Sequence, residues 1–432
     1  MRDLTDLIVK RTETLSGTIA APPSKAYTHR ALVAASLSEG VSKIENALIC
    51  DDTLATINAC RMLGAEISEV EDAFAVKGVS KPNTPENVID CRESGATIRF
   101  LTPVCALADG ISVLAGRQGL LRRPMKPLLE ALKQLRVDCY SARHDGFPPI
   151  IVFGGGIKGG RTAIRGDVSS QFISGLLFAT PMASNSTEVI VTTDLESKPY
   201  VTMTLDVLHK HGIKFDFQLD YRRFDIPPNQ RYAPSDHVIE GDYSSAAFLL
   251  AAAAITNSRV RINGLKRETL QGDKVIVNVL REMGAWVELG EDYVEVRGVG
   301  HSLRGMNLDL SDSPDLVPVC AVVASSAKGR TMISGVKRLH FKESDRMLSL
   351  SSELGKMGVK ITDLEGQLII EGGSLRGAEL NSHNDHRIAM ACAVAALRAE
   401  GETVIHGIDC ISKSYPNFVK DLRELGGNLI ER

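Results

Sequence analysis

The chain lacks the marks by which several function classes are recognised. Its eight cysteines (Cys50, Cys60, Cys91, Cys105, Cys139, Cys320, Cys392 and Cys410) form no C-x-x-C pair and no metal-ligand spacing. They read as reduced core thiols, which suits a reducing compartment better than a disulfide framework. There is no surplus of positive charge: 50 Lys and Arg stand against 53 Asp and Glu, a net charge of -3. A nucleic-acid binder would usually be basic, so none is expected as a partner. No apolar run reaches the roughly 20 residues that a membrane helix needs. The stretch SSAAFLLAAAAI, residues 244–255, reads instead as a buried helix. The opening MRDLTDLIVK has neither an apolar signal core nor an Arg/Ser-rich transit character. The expected location is therefore the cytoplasm, with no membrane contact.

What is present is ordinary globular composition, 44% hydrophobic and 24% charged, in 432 residues. That length exceeds the size at which single cores stop growing, so two domains are expected. One pattern recurs: an amphipathic helix closing on a turn residue, then a strand-like alternation. It reads INACRMLGAEI around Gly64, LLEALKQLRVD around Arg136 and LDVLHKHGIKF around Gly212. It continues as VNVLREMGAWV around Gly284, SSELGKMGVKI around Gly358 and VKDLRELGGNL around Gly426. The spacing is about 70 residues, too long for the familiar solenoid periods. A unit of that length has room for about two helices and three or four strands. Six such α/β units, three to a domain, are the expected architecture. A second echo, GDVSSQFISGLLFA against GDYSSAAFLLAAAA, places Gly-Asp-x-Ser-Ser before two apolar helices. Ser and Asp are natural N-caps there, whereas Gln171 has no structural reason to be polar.

Several apolar helices begin with cations, where the macrodipole disfavours them. PPSKAYTHRALVAASL carries Lys25, His29 and Arg30 in its first two turns, with Ala26 and Arg30 sharing a face. Arg122 and Arg123 precede MKPLLEALKQL; His386 and Arg387 open HNDHRIAMACAVAAL; Lys413 lies in SKSYP before the last helix. HFKESDRM packs Lys342, Glu343 and Arg346 together, and Asp315 stands at the mouth of the apolar PDLVPVCAVVA. Ser169, Ser170 and Gln171 supply hydroxyls and an amide at a helix start, and Ser197 and Tyr200 add another hydroxyl and a phenol. Converging helix starts of this kind make a focused positive cleft suited to small, phosphate-bearing substrates. His383 and His386 have no evident third ligand, so no metal site is expected.

Taken together and in order, PPSKAYTHRA, ESGATIR, RRP, GDVSSQ, SKPY, GDYSSA, SPD, FKESDR, NDHR and SKSYP resemble the 5-enolpyruvylshikimate-3-phosphate synthase family of enolpyruvyl transferases. The resemblance covers nearly the whole chain. It implies two similar domains of three βαβαββ units each, 23–237 and 1–22 plus 238–432, closing on substrate with the active site in the cleft. It implies transfer of the enolpyruvyl group of phosphoenolpyruvate to the 5-hydroxyl of shikimate 3-phosphate by a monomer that needs no cofactor. Carried over residue by residue, Lys25, Ala26, Arg30, Ser169, Ser170, Gln171, Ser197, Tyr200, Asp315, Arg338 and Lys342 fall at the shikimate 3-phosphate site. Lys25, Gly95, Arg123, Gln171, Arg346, Arg387 and Lys413 fall at the phosphoenolpyruvate site, with His386 and Arg99 in support. Asp315, Glu343 and Lys25 are the implied proton-transfer groups.

Four positions depart from the family pattern. Ala26 stands where a Ser usually helps the arginine four residues on to hold the shikimate carboxylate. Glu93-Ser94-Gly95-Ala96 replaces Asn-x-Gly-Thr, and Arg338 replaces an Asn. Two other functions fit the sequence less well. A UDP-N-acetylglucosamine enolpyruvyl transferase would carry a loop cysteine before its Arg-Pro, and AGRQGLLRRP has none. A non-catalytic phosphometabolite binder would not need Glu343 and Asp315 beside its cations.

Overall fold

The computed structural model describes residues 5–298, 302–364 and 366–432. Among them, six four-stranded sheets share one pairing pattern. Ile89–Asp90 runs parallel to Ile111–Ala115, which pairs antiparallel with Ile150–Phe153, itself antiparallel to Cys139–Ser141. Parallel neighbours require a crossover connection, and here it is a helix. The result is βαβαββ, repeated six times.

The helices are α1 (Lys25–Ser36), α2 (Asp51–Met62), α3 (Gly95–Cys105), α4 (Lys126–Gln134), α5 (Ser170–Ala179) and α6 (Lys198–Lys210). They continue with α7 (Tyr243–Ile255), α8 (Ile276–Glu282), α9 (Val317–Ser325), α10 (Arg346–Lys356), α11 (His386–Ala396) and α12 (Phe418–Glu424). Odd-numbered helices are apolar nearly all round and buried; every residue of α7, α9 and α11 is buried. Even-numbered helices bury one stripe, as α4 does with Leu128, Leu129, Ala131 and Leu132. A helix apolar on all faces belongs in a core, and an amphipathic one at its margin.

Each even-numbered helix ends in the same cap. Gly64, Arg136, Gly212, Gly284, Gly358 and Gly426 all have positive φ, between 66° and 107°. The amide of each donates three residues back, as Gly64 does to Arg61 at 3.0 Å and Gly358 to Gly355 at 2.9 Å. The following amide reaches five back, as Ala65 does to Cys60 and Val359 to Leu354, both at 3.1 Å. This paired arrangement satisfies carbonyls that a helix end otherwise strands. Arg136 adopts the left-handed conformation without glycine's freedom, at a cost of about 1–2 kcal/mol.

The repeats assemble into two compact units. One is Pro23–Ile239; the other joins the segment ending at Pro22 to Glu240–Arg432. Each has its own hydrophobic core. Three sheets borrow a strand from far along the chain. His237–Val238 lies parallel to Gly40–Glu45. Ser16–Ala20 lies parallel to Arg259–Asn263. Leu7–Lys10 fits between Glu402–His406 and Asn428–Glu431. The second crossing thus follows Ile239 rather than falling at 238. Val238 is in register with Glu45 and the Ile239 amide donates to the Glu45 carbonyl at 3.0 Å, which ties both residues to the first unit.

Candidate active site

In the unit Glu240–Arg432, the starts of α7, α9 and α11 meet through side chains. Asp315, in the 3-10 turn Pro314–Leu316 that feeds α9, receives three cations. Arg346 Nη1 lies 2.9 Å from its carboxylate, Arg387 Nη2 3.0 Å and Lys342 Nζ 3.3 Å. Burial on its own would raise the Asp315 pKa, but Arg387, Lys342 and Arg346 outweigh it and hold the group well below the usual carboxylate range. Lys342 moves the other way. Burial, reinforced by Arg346 and Arg338 against the pull of Asp315, lowers it to about 8.

Arg346 is the hub of this cluster, with only 1% of its side chain exposed. Its Nε donates to Asp385 Oδ2 at 2.8 Å, and its Nη2 donates to Glu343 Oε2 at 2.7 Å and to Asp385 Oδ1 at 3.3 Å. Burial would lower its pKa, yet Asp385, Glu343 and Asp315 raise it, so it stays charged. Arg387 also donates weakly to the backbone carbonyls of Asp315 and Ser244, at 3.4 and 3.5 Å. Lys413 donates to the Asn384 carbonyl at 2.7 Å. Arg338 is buried and donates to the Ser311 carbonyl. His386 is buried at the first position of α11, while His383 turns away to Glu353 at 2.8 Å.

The unit Pro23–Ile239 gathers a second set. Lys25 is the first residue of α1, behind the N-cap Ser24, and its Nζ lies 2.9 Å from Asp52 near the start of α2. Asp52 offsets the cation at this helix end. His29, one turn on, bonds Thr56 at 2.7 Å; burial first, then Lys25 and Arg30, push its pKa well down, so it is neutral. Arg30 is buried and held by Thr204 Oγ1 at 2.9 Å, the Tyr200 carbonyl at 2.7 Å and the Ala26 carbonyl at 2.8 Å. Its guanidinium also lies over Phe100 and Tyr200. Burial lowers it only to about 10.

Gly95 opens α3 because Arg123 occupies the space a side chain would need: an added Cβ would sit 2.6 Å from Arg123 Nη1. Ser94 caps that helix through Thr97. At the start of α5, Ser169 is the N-cap, and Arg99 donates to Gln171 Oε1 at 2.8 Å and to Ser169 Oγ at 3.4 Å. Ser197 precedes α6 in the left-handed region, φ 59° and ψ 43°. Such a conformation is uncommon outside glycine and concentrates at functional positions. Arg122 is exposed and stands apart from this set.

Four groups in these clusters escape a reading of sequence alone. Asp52 and Asp385 read as helix-start residues, and their other role, neutralising Lys25 and Arg346, exists only in three dimensions. Thr204 holds Arg30 from the middle of α6. Asp273 bonds Ser244 Oγ beside Arg387, and burial and the charge of Asp315 raise it to about 6. The GDYSSA echo was the one signal that pointed toward Ser244.

The profile of the EPSP synthase (3-phosphoshikimate 1-carboxyvinyltransferase) family matches residues 9–422. The chain belongs to the EPSP synthase family. It is 45% identical over 427 residues to the 3-phosphoshikimate 1-carboxyvinyltransferase of Methanocaldococcus jannaschii, covering 98% of this chain and 99% of that one. With its counterpart from Methanothermobacter thermautotrophicus it shares 44% over 422 residues, covering 98% of each. An Acinetobacter baumannii EPSP synthase structure superposes with a TM-score of 0.81 at 25% identity, covering 99% of both chains. The two-domain enolpyruvyl transferase fold expected from the sequence is the fold observed. Against the EPSP synthase pattern, the absent Ala26 hydroxyl leaves Arg30 anchored by backbone and by Thr204, so the arginine is positioned without it.

Proposed function

We propose that the protein transfers the enolpyruvyl group of phosphoenolpyruvate to the 5-hydroxyl of shikimate 3-phosphate, releasing phosphate. The observation that carries this reading is Asp315 held ionised among Lys342, Arg346 and Arg387, in a chain whose family membership is plain. The two substrates bring two phosphates and two carboxylates, about five negative charges at neutral pH. At an effective dielectric near 20, each close like-charge pair would cost about 4 kcal/mol. Clustered cations offset that cost.

Ser169, Ser170, Gln171, Ser197 and Tyr200 with Lys25 and Arg30 are assigned to shikimate 3-phosphate, along with Lys342 and Arg338. Arg123, Arg346, Arg387 and Lys413 are assigned to phosphoenolpyruvate, with Gly95 and Gln171 supplying close approach and Lys25 serving both substrates. Arg99 and His386 support these groups. The first turns of α1, α3 and α5 contain no acidic residue and follow a serine N-cap, so their free amides remain favourable to anions.

The chemistry follows from charge redistribution. Binding draws Lys342, Arg346 and Arg387 toward substrate anions and away from Asp315. Burial, which raises its pKa, then counts for more, and Asp315 becomes a better base for the 5-hydroxyl proton. A proton delivered to the methylene carbon, by Glu343 or Lys25, makes the adjacent carbon electrophilic, and the hydroxyl oxygen bonds to it. Returning a methyl proton to the protein then expels phosphate and restores the double bond.

We place the protein in the cytoplasm, supported by eight free, buried cysteines suited to reducing conditions; a monomer is what the family resemblance implies. No described helix is long and apolar enough to cross a membrane. The test is phosphate release on mixing both substrates with the protein. Release that needs both supports the assignment; none beyond the control without shikimate 3-phosphate refutes it.

A further inference from the structure

The turn between the strand Glu379–Asn381 and α11 contains two consecutive residues in the left-handed region, His383 (φ 52°) and Asn384 (φ 55°). Neither is glycine, so the turn is strained and must be held from outside. α10 holds it at both ends. Arg346, at the first position of α10, fixes Asp385. Glu353, two helical turns on and so on nearly the same face, fixes the other end. One oxygen accepts from His383 Nε2 at 2.8 Å, and the other accepts from the Asn381 amide at 2.9 Å and Lys356 Nζ at 2.7 Å. Glu353 is only 1% exposed. Out of the clamped turn comes the Asn384 carbonyl, 2.7 Å from Lys413 Nζ.

We propose that Glu353 is a positioning residue for the phosphoenolpyruvate cations. Through His383 it holds the 383–384 turn in its strained shape, and that turn aims Lys413 and seats Asp385 against Arg346. Glu353 touches no substrate. Its loss leaves every cation in place but lets the turn relax, so Lys413 and Arg346 lose their fixed geometry together. The inference rests on the assignment of those two cations to phosphoenolpyruvate, while the clamp itself does not.

The experiment uses the full-length protein and its E353A variant, with two readouts. Amide hydrogen exchange over residues 382–386 tests the clamp without reference to activity. It should speed by about tenfold or more in E353A, since a hydrogen-bonded charge is worth that much, with the rest of α11 unchanged. Steady-state kinetics test the positioning role. KM for phosphoenolpyruvate should rise by about tenfold, while KM for shikimate 3-phosphate moves much less. H383G in the E353A background should recover part of the loss, because glycine adopts the left-handed turn without strain. If E353A does not fold, E353Q, which keeps the volume and loses the charge, is read the same way. Unchanged exchange, or both KM values rising equally, overturns the proposal. Faster exchange in a protein whose wild type releases no phosphate would leave the clamp standing and remove the enzymatic reading instead.

Discussion

Replacing Arg346 with Met should destabilise one unit specifically, and the structure indicates by how much. The substitution removes a cation that three carboxylates share, all of them mostly buried. Asp315 keeps Lys342 and Arg387, so its loss is partial. Asp385 is fully buried and Arg346 supplies its only ion pair among the described residues. It would retain the Arg387 amide at 2.9 Å and the Ser344 amide and hydroxyl at 3.3 and 3.2 Å. Stranding a buried charge costs about 3–5 kcal/mol, and the three remaining donors place R346M toward the lower end.

Adding D385N removes the stranded charge, so R346M/D385N should recover about half of the deficit. The single-variant deficit should also shrink in acid. An unpaired buried carboxylate has a raised folded-state pKa, so its cost is absent below the unfolded value and grows as pH rises. Urea unfolding followed by tryptophan fluorescence is the assay. The only tryptophan, Trp286, belongs to the same unit and stacks on Arg297 at 4.0 Å. An R346M variant within about 1 kcal/mol of wild type, or a double variant no more stable than the single, would refute the hub account.

Other outcomes follow from the same geometry. G95A should raise KM for phosphoenolpyruvate by about tenfold or more by displacing Arg123, the contact being with a movable side-chain end, while its urea midpoint stays near wild type. A26S should tighten shikimate 3-phosphate binding by calorimetry, since a new hydroxyl bond to a charged group is worth about 1.5–3 kcal/mol; unchanged affinity would mean that Arg30, already held at three points, needs no help. For Lys342, lowered to about 8, kcat/KM for shikimate 3-phosphate should fall as pH rises through that value and the ammonium is lost. K342R should remove this alkaline limb, because kcat/KM reports the free enzyme's groups and guanidinium does not titrate there.

The repeat was legible because its physics is local. A helix stripe and a left-handed cap are written into about ten adjacent residues, and Gly64 through Gly426 announced them even where Arg136 took the glycine's place. The cations at helix starts were legible for the opposite reason: they break a local rule, so something outside the helix must explain them. The compensating acids were not legible. Asp52 lies 27 residues from Lys25, and Asp385 lies 39 from Arg346. Both obey the N-terminal preference for acids, so nothing in their own segments marks them. Glu353 was hidden the same way, inside an amphipathic helix where a glutamate looks like a solvated face. The boundary read from the sequence lies two residues before the observed one because a two-residue strand, His237–Val238, gives almost no periodic signal.

The reaction proposed for this protein is addition of shikimate 3-phosphate to protonated phosphoenolpyruvate, followed by elimination. One incubation of both substrates with the protein in deuterated water, followed by proton and phosphorus magnetic resonance, tests it most directly. Inorganic phosphate should appear in step with an enol ether at the 5-oxygen, its vinyl protons partly replaced by deuterium. The intermediate methyl group, which carries one solvent deuteron, can lose either isotope. No phosphate, or phosphate accompanied by pyruvate and unaltered shikimate 3-phosphate, would contradict it.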